Sequence, residues 1–175
     1  SKDFHILNSK GRELWLAEDA SNVSCCYGTY RVNIKDLSNK QIIVLQSGFN
    51  CCLEELEVCV PGSISIGKAK EDFDMLIPKF SVVDRYGGQL FKIKRKGRCG
   101  GRVYQITGPS DDAVIGNIKI ICNTVYEYEV HHAMSIMFPV NLDVDKKALL
   151  IGASFLITHQ GCCSIVMSLL LHNEY

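Results

Sequence analysis

The sequence lacks several features that would assign it to a familiar functional class. Its charge is balanced, with 19 basic and 19 acidic residues among 175, whereas nucleic-acid-binding surfaces normally need a basic excess. The Gly-x-Ser-x-Gly, P-loop and Gly-x-Gly-x-x-Gly motifs are absent. The sequence therefore gives no indication of the enzyme classes that these motifs mark. No secretory signal opens the chain. We therefore expect no nucleic-acid partner and no catalytic residues.

The only local grouping of a nucleophile with a base is Cys122 with His131 and His132. Adjacent histidines on a predicted loop are typical of solvated side chains, and metal ligation is the alternative. The paired glutamates Glu54 and Glu55 fall on opposite faces of a predicted strand. Neither grouping predicts an enzyme.

A wholly apolar run long enough to cross a bilayer is also missing. Residues Ala148 to Ile157 carry no ionisable side chain, but ten helical residues span only about 15 Å of a hydrocarbon core about 30 Å thick. Extension to Leu171 meets the polar segment Thr158–Gly161, whose glycine weakens a helix. The run predicts a buried core helix, and a membrane span is the alternative.

The nine cysteines have no Cys-x-x-Cys spacing, so they form no zinc-site pattern. The odd total and the adjacent pairs argue against a disulfide framework and indicate a reducing, cytosolic environment. Cys59 and Cys122 alternate with apolar residues, as small buried side chains do. The adjacent pairs are candidate acylation sites, foremost Cys51 and Cys52, and then Cys25 and Cys26.

Short strands separated by turns dominate the rest of the chain. About a dozen strands followed by one apolar helix predict a mainly β fold, a closed antiparallel barrel of ~12 strands around a buried C-terminal helix. We expect one domain over residues 1–175, with Ala148, Ile151, Gly152, Phe155 and Ile157 in the core helix. The predicted strands are Asp3–Leu7, Glu13–Ala17, Thr29–Ile34, Gln41–Gln46, Leu53–Val60, Ser63–Gly67, Lys79–Val83, Gln89–Arg95, Arg102–Thr107, Ala113–Ile121 and Thr124–Val130.

One local basic cluster, Lys92–Arg98, interrupts the even distribution of charge. A solvated strand end with its loop accounts for it, and contact with anionic lipid headgroups is the functional alternative.

The segment from Phe138 to Ile157 resembles the C-terminal signature of the phospholipid scramblase family. The matches are Phe138-Pro139, Leu142-Asp143-Val144, Lys147-Ala148, Ile151-Gly152-Ala153 and Phe155-Leu156-Ile157. Weaker matches include Leu53–Val58 and Pro78–Phe80, and the resemblance covers roughly Phe4 to Ile157. The tail 158–175 diverges, and the chain begins at Ser1 rather than Met, so we expect a divergent member or a fragment.

The resemblance implies a tubby-like barrel and ATP-independent movement of phospholipids between membrane leaflets. It also implies membrane association at the cytosolic face, with the plasma membrane as the expected location, and palmitate on Cys51 and Cys52. A lipid-headgroup or protein-binding module without transport activity is the alternative, with protein partners then expected. The scramblase and the binding module are expected to share this fold.

The family's acidic calcium loop corresponds here to residues 130–141, where its carboxylates are replaced. Ser135 and Asn141 offer only neutral oxygens, and Asp143 and Asp145 fit a helix cap and first turn. Calcium favours six to eight oxygens with several negative charges. We expect no cofactor and no effective calcium site.

Overall fold

The protein is a β-barrel closed around one helix. The structure, a computed structural model, describes residues 3–24, 27–48, 55–74, 77–97, 102–126, 129–161 and 166–173. Within these ranges the strands are β1 (Asp3–Asn8), β2 (Glu13–Asp19), β3 (Asn22–Ser24), β4 (Tyr27–Asp36), β5 (Gln41–Ser47), β6 (Glu55–Val60), β7 (Ile64–Asp72), β8 (Lys79–Asp84), β9 (Gln89–Arg95), β10 (Arg102–Thr107), β11 (Val114–Tyr126), β12 (Glu129–Phe138) and β13 (Val166–Asn173). The helix is α1 (Val144–Gly161).

Twelve of the described strands form the ring. Around the ring the order is β2, β1 and β13, followed by β12 down to β4 in decreasing number. Pairing of β2 with β4 closes the barrel. Strand β3 lies outside this circuit and pairs only with β4. Most neighbours are antiparallel, but β13 runs parallel to both β1 and β12. Closure removes exposed sheet edges, and the predicted fold class is confirmed.

Helix α1 fills the lumen. Residues 148–158 are all buried, as expected for a helix that is apolar on every side, and the helix packs on β6, β7, β8 and β12. Phe155 meets Phe4 edge to face, with ring centroids 5.6 Å apart. Among the described residues, no helix combines the length and the apolarity needed to cross a membrane.

The helix is longer than its apolar stretch predicts. It begins at Val144 and continues through Thr158 to Gly161, so the polar segment that we expected to interrupt it belongs to the helix. The buried Thr158 hydroxyl donates to the backbone carbonyls of Ser154 and Phe155, at 3.0 and 2.9 Å. A buried hydroxyl that is satisfied within its own helix does not end that helix.

The C-terminal strands differ from those predicted. Strand β11 runs on to Tyr126, and β12 occupies Glu129–Phe138, so the expected final strand Thr124–Val130 is wrong. The tail beyond the helix adds β13, which inserts between β1 and β12. This parallel insertion joins the two ends of the described chain and completes the ring.

Candidate functional site: the turn rim of the barrel

The turns of the barrel divide into two sets, one at each end. One set lies at the end of the barrel where α1 begins, and we call it the turn rim. It comprises residues 9–12, 37–40, 61–63, 85–88, 108–113 and 139–143. Strands β1, β4, β6, β8, β10 and β12 all run toward this end, so their following turns meet there. The opposite end holds the connections that begin after β2, β5, β7, β9 and β11.

The turn rim carries an unusual share of exposed apolar surface. In the part of the chain that the structure describes, eight large hydrophobic side chains are exposed, and seven lie in or beside the turn rim. Tyr86, Val144 and Leu37 are the most open of these, with 81%, 79% and 71% of their surface accessible. The others are Ile64, Val114, Ile115 and Val140. Apolar surface gathered at one end of a molecule marks a contact with a partner or a membrane.

An apolar cleft opens within the turn rim, between the β10–β11 turn and the segment that leads into α1. Its volume is about 690 Å³, within the usual size of a small-ligand site. Leu90, Ile115, Val140 and Leu142 line it, and Lys146 is the charged residue in its wall. The cleft can accommodate an apolar chain.

Two acids that directly precede turns of the rim, Asp36 and Asp84, hold those turns in place. Asp36 Oδ1 accepts hydrogen bonds from the backbone of Ser38 and Lys40 and from the Ser38 hydroxyl. Asp84 Oδ1 likewise accepts from the backbone N–H groups of Tyr86 and Gly88. The Ser38 hydroxyl bond is the main reason that the pKa of Asp36 lies below its usual value. These turns therefore present their apolar residues on a fixed backbone.

The predicted remnant of a calcium loop does not form a cluster of ligands. Residues 130–138 belong to β12, so their expected position in a loop is wrong, whereas the expectation of no effective calcium site stays a prediction. Ser135 is buried in the strand, whereas Asn141 lies in the following turn with a φ of 57°. Within the described residues, no group of three or more potential metal ligands comes together.

Asp143 is the N-terminal cap of α1. Its Oδ1 accepts the backbone N–H of Lys146 at 2.9 Å, and its Oδ2 lies 3.2 Å from the Lys146 ammonium. The backbone hydrogen bond is the main cause that lowers the pKa of Asp143. Asp145 follows in the first turn, where the helix dipole favours an acid.

The other predicted residues lie apart from the turn rim. Helix residues Ala148, Ile151, Gly152, Phe155 and Ile157 are buried in the lumen. The two histidines lie on β12 rather than on a loop, and His132 is paired in register with Cys122 of β11. The candidate acylation residues Cys51 and Cys52, and Cys25 and Cys26, lie outside the described residues.

The basic segment Lys92–Arg98 leads to the opposite end of the barrel. Lys94 pairs with Asp112 at 3.3 Å, and residue 98 lies outside the described ranges. Near the end of β9, Arg95 lines a pocket of about 370 Å³ with Arg102, Tyr104 and Glu71. Burial is the main cause that raises the pKa of Tyr104. Sequence reasoning found the basic segment but not this pocket, because β7, β9 and β10 contribute to it from separate parts of the chain.

Sequence reasoning also missed the turn rim, although its signal is present. A large apolar residue lies within or directly beside a polar turn at Leu37, Ile64, Tyr86, Val114 and Val140. Each one alone is unremarkable for a surface residue. Only the strand order shows that they share one end of the molecule.

Comparison with known proteins identifies relatives of this chain. The Scramblase family model matches residues 2–160. Human phospholipid scramblase 1 is 27% identical over 172 residues, covering 88% of this chain and 54% of the relative. Human phospholipid scramblase 2 is 26% identical over 179 residues, covering 91% and 60%. Human phospholipid scramblase family member 5 is 27% identical over 179 residues, covering 89% and 64%.

The chain thus spans roughly half to two thirds of the length of these relatives. No solved structure matches it. Since the family model covers almost the whole chain, the protein belongs to the scramblase family.

Proposed function

We propose that this protein is a phospholipid scramblase-like protein that binds a phospholipid membrane and moves phospholipids between its leaflets without ATP. The observation that carries the proposal is the family match over residues 2–160, together with relatives that are named phospholipid scramblases. The process makes and breaks no covalent bond, so it calls for no catalytic residue. We propose that residues 1–175 act as one scramblase-like domain.

The turn rim is the proposed membrane contact. Side chains such as Val140, Val144 and Tyr86 are exposed at one end, on turns that acidic side chains hold in place. Transfer of such side chains into the interfacial region of a bilayer is favourable by about 25 cal/mol for each Å² of apolar surface removed from water. Arg85, whose guanidinium lies 4.8 Å from the centroid of the Tyr86 ring, can remain at headgroup level beside that ring.

Acylation is the proposed second membrane signal. Cys51 and Cys52 fall between Ser47 and Glu55 in sequence, and Cys25 and Cys26 fall between Ser24 and Tyr27. These four flanking residues are strand ends opposite the turn rim. One acyl chain gives only marginal membrane binding, whereas two signals give a stable one. Because a six-residue strand is about 20 Å long, simultaneous use of both ends would tilt the barrel against the membrane. We place the protein at the cytosolic face, with the plasma membrane as the proposed location.

A binding module without transport activity is the second candidate. The observation that favours it is the enclosure of α1, whose residues 148–158 are buried inside the barrel. Lipid headgroups need a polar path across about 30 Å of hydrocarbon to change leaflet. A protein that only binds headgroups, or a protein partner, at the turn rim needs no such path.

Reconstitution distinguishes the two candidates. The purified chain is incorporated into vesicles that carry a fluorescent phospholipid, and a membrane-impermeant quencher is then added outside. A scramblase exposes the inner-leaflet pool, so the signal falls well below the level reached in protein-free vesicles without any ATP. A binding module co-sediments with the vesicles but leaves the inner pool protected. That second result would contradict the proposed transport.

A further inference from the structure

A second pocket opens at the turn rim and shares no lining residue with the apolar cleft. It has a volume of about 440 Å³ and lies between the β1–β2 turn, the end of β12 and the start of α1. We call it the basic pocket, because Lys10, Arg12 and Lys147 line it and, among the residues that the structure describes, no carboxylate does. None of these three cations forms an ion pair within the described ranges.

The remaining polar groups of the basic pocket reinforce its preference for an anion. The indole N–H of Trp15 is a donor only, and the Ser9 hydroxyl can donate as well as accept. The side-chain carbonyl of Asn8 is the competing acceptor, but it already receives the backbone N–H groups of Lys10 and Arg12, each at 2.9 Å. The pocket therefore offers several donors to a ligand and few free acceptors.

The turn that carries two of the cations is held in one conformation. Besides the Asn8 side-chain bonds, the backbone N–H of Asn8 donates to the Arg12 carbonyl and that of Gly11 to the Asn8 carbonyl, both at 2.9 Å. Gly11 adopts the left-handed conformation that this turn needs, with a φ of 73°. Lys147 is placed from the opposite wall by α1, with its ammonium 5.8 Å from the Phe138 ring centroid. A ligand would thus meet a prepared array of charges, which lowers the cost of binding.

The floor of the basic pocket is apolar. Phe138, Ile151 and Leu171 form it, and all three are buried. A cationic mouth above an apolar floor matches an ester of phosphate that carries a carbon skeleton, rather than a bare inorganic ion. The mouth also belongs to the turn rim, the proposed membrane contact.

From this geometry we propose that the basic pocket binds the phosphate group of an anionic phospholipid headgroup. The proposal rests on the proposed membrane contact of the turn rim, but it does not depend on lipid transport. It assigns the headgroup to Lys10, Arg12 and Lys147, whereas the exposed apolar side chains of the turn rim insert into the bilayer.

Trp15 provides a direct readout, since it is the only tryptophan of the chain and lines the basic pocket. Its emission is followed while the protein is titrated with phosphatidylcholine vesicles, with or without phosphatidic acid, and separately with glycerol 3-phosphate. We expect a saturable change that requires phosphatidic acid in the vesicles. Lys10→Gln, Arg12→Gln and Lys147→Gln should each weaken that binding about tenfold or more, as loss of a charge-assisted hydrogen bond does.

Lys40→Gln is the matched control. Lys40 is exposed in the β4–β5 turn at the same end of the barrel, but it does not line the basic pocket. Loss of a cation that acts only through the general field of an anionic membrane should cost no more than about fivefold. Equal losses in the control and the pocket variants would overturn the proposal, provided that far-ultraviolet circular dichroism shows each variant folded.

Two further outcomes are decisive. Binding of glycerol 3-phosphate without binding to phosphatidic acid vesicles would overturn the lipid assignment and identify a soluble phosphate ester as the ligand. If Trp15 shows no saturable response to any of these ligands, the basic pocket does not bind a phosphate group. Conversely, a protein that binds phosphatidic acid through this pocket but moves no lipid in the reconstitution assay would support the pocket and refute the transport function.

Discussion

Gly152 of α1 and Val58 of β6 approach so closely that no side chain fits between them. A Cβ atom built on Gly152 would lie 2.5 Å from Cγ2 of Val58 and 3.5 Å from Cδ2 of Leu45. Both valine and leucine are fully buried in the barrel core and cannot move into solvent. The glycine thus sets the distance between the helix and the wall of the barrel.

Replacement of Gly152 with leucine should overpack the core. We expect the free energy of unfolding to fall by about 1–3 kcal/mol or more, because protein interiors cannot absorb extra volume without displacing side chains or backbone. Urea denaturation followed by circular dichroism measures the loss. Gly108→Leu is the control, since the nearest atom to a Cβ there is a flexible Asp111 oxygen at 4.0 Å. Equal stability of Gly152→Leu and the wild type would contradict the enclosed position of the helix.

The cap residue Asp143 should make stability depend on acid pH. Its pKa is lowered in the folded protein, so it contributes stability above the unfolded value of 3.8, and that contribution is lost as the pH falls through the folded pKa. An asparagine at this position would cap the helix about as well without titrating. Asp143→Asn should therefore match the wild type at pH 7 but lose less stability between about pH 4 and pH 2. If denaturant titrations show that the wild type and Asp143→Asn lose the same free energy of unfolding over this pH range, the Asp143 carboxylate does not contribute the expected pH dependence.

Calcium should bind weakly, if at all, near the start of α1. Asp143 is engaged by Lys146, Ser135 is buried in β12, and Asn141 contributes only a neutral oxygen. Since calcium affinity follows the number of charged ligands, we expect a dissociation constant weaker than about 1 mM. Isothermal titration calorimetry measures it. A micromolar site that Asn141→Ala abolishes would refute the prediction and restore a calcium-dependent mechanism.

The antiparallel strands of the barrel can be predicted well from the sequence, because each is marked by its own residues and by the turn residues beside it. Strands Gln89–Arg95 and Arg102–Thr107 match β9 and β10 at both ends, since each alternates and ends at turn residues. Strand β13 has no such local signal. It is an apolar segment after a helix, and its place between β1 and β12 is settled only by parallel pairing with distant strands.

The candidate site likewise has parts that local sequence predicts and parts that depend on long-range contacts. Asp143 as a helix cap and the buried apolar helix can be inferred from neighbouring residues. The basic pocket joins Lys10 to Lys147, which are far apart in sequence and meet only through closure of the barrel. Correspondence with the family's calcium loop predicts a loop over residues 130–138, whereas these residues form a strand that pairs with β11 and β13.

Acylation is tested by removing the thiols before β6. If Cys51 and Cys52 carry fatty acids, the double substitution Cys51→Ser with Cys52→Ser should shift the protein from the membrane pellet to the supernatant, because two acyl chains supply a stable hold. Cell fractionation after a high-salt wash, with hydroxylamine-sensitive labelling of thioesters, measures the shift. A double variant that still pellets places the anchor elsewhere, with Cys25 and Cys26 or the tail segment 163–171 next to be tested.

Site-specific labelling tests whether the turn rim faces the bilayer. An environment-sensitive dye is attached to a cysteine introduced at Val140 or Val144, in a background that lacks all native cysteines except the buried Cys59. Phe73 is the matched control, because it is 94% exposed but lies at the opposite end of the barrel. On addition of anionic vesicles, we predict a blue shift in dye emission and protection from an aqueous quencher at Val140 and Val144, with neither change at Phe73. A blue shift at Phe73 with unchanged emission at Val140 and Val144 would show instead that the opposite end of the barrel faces the bilayer.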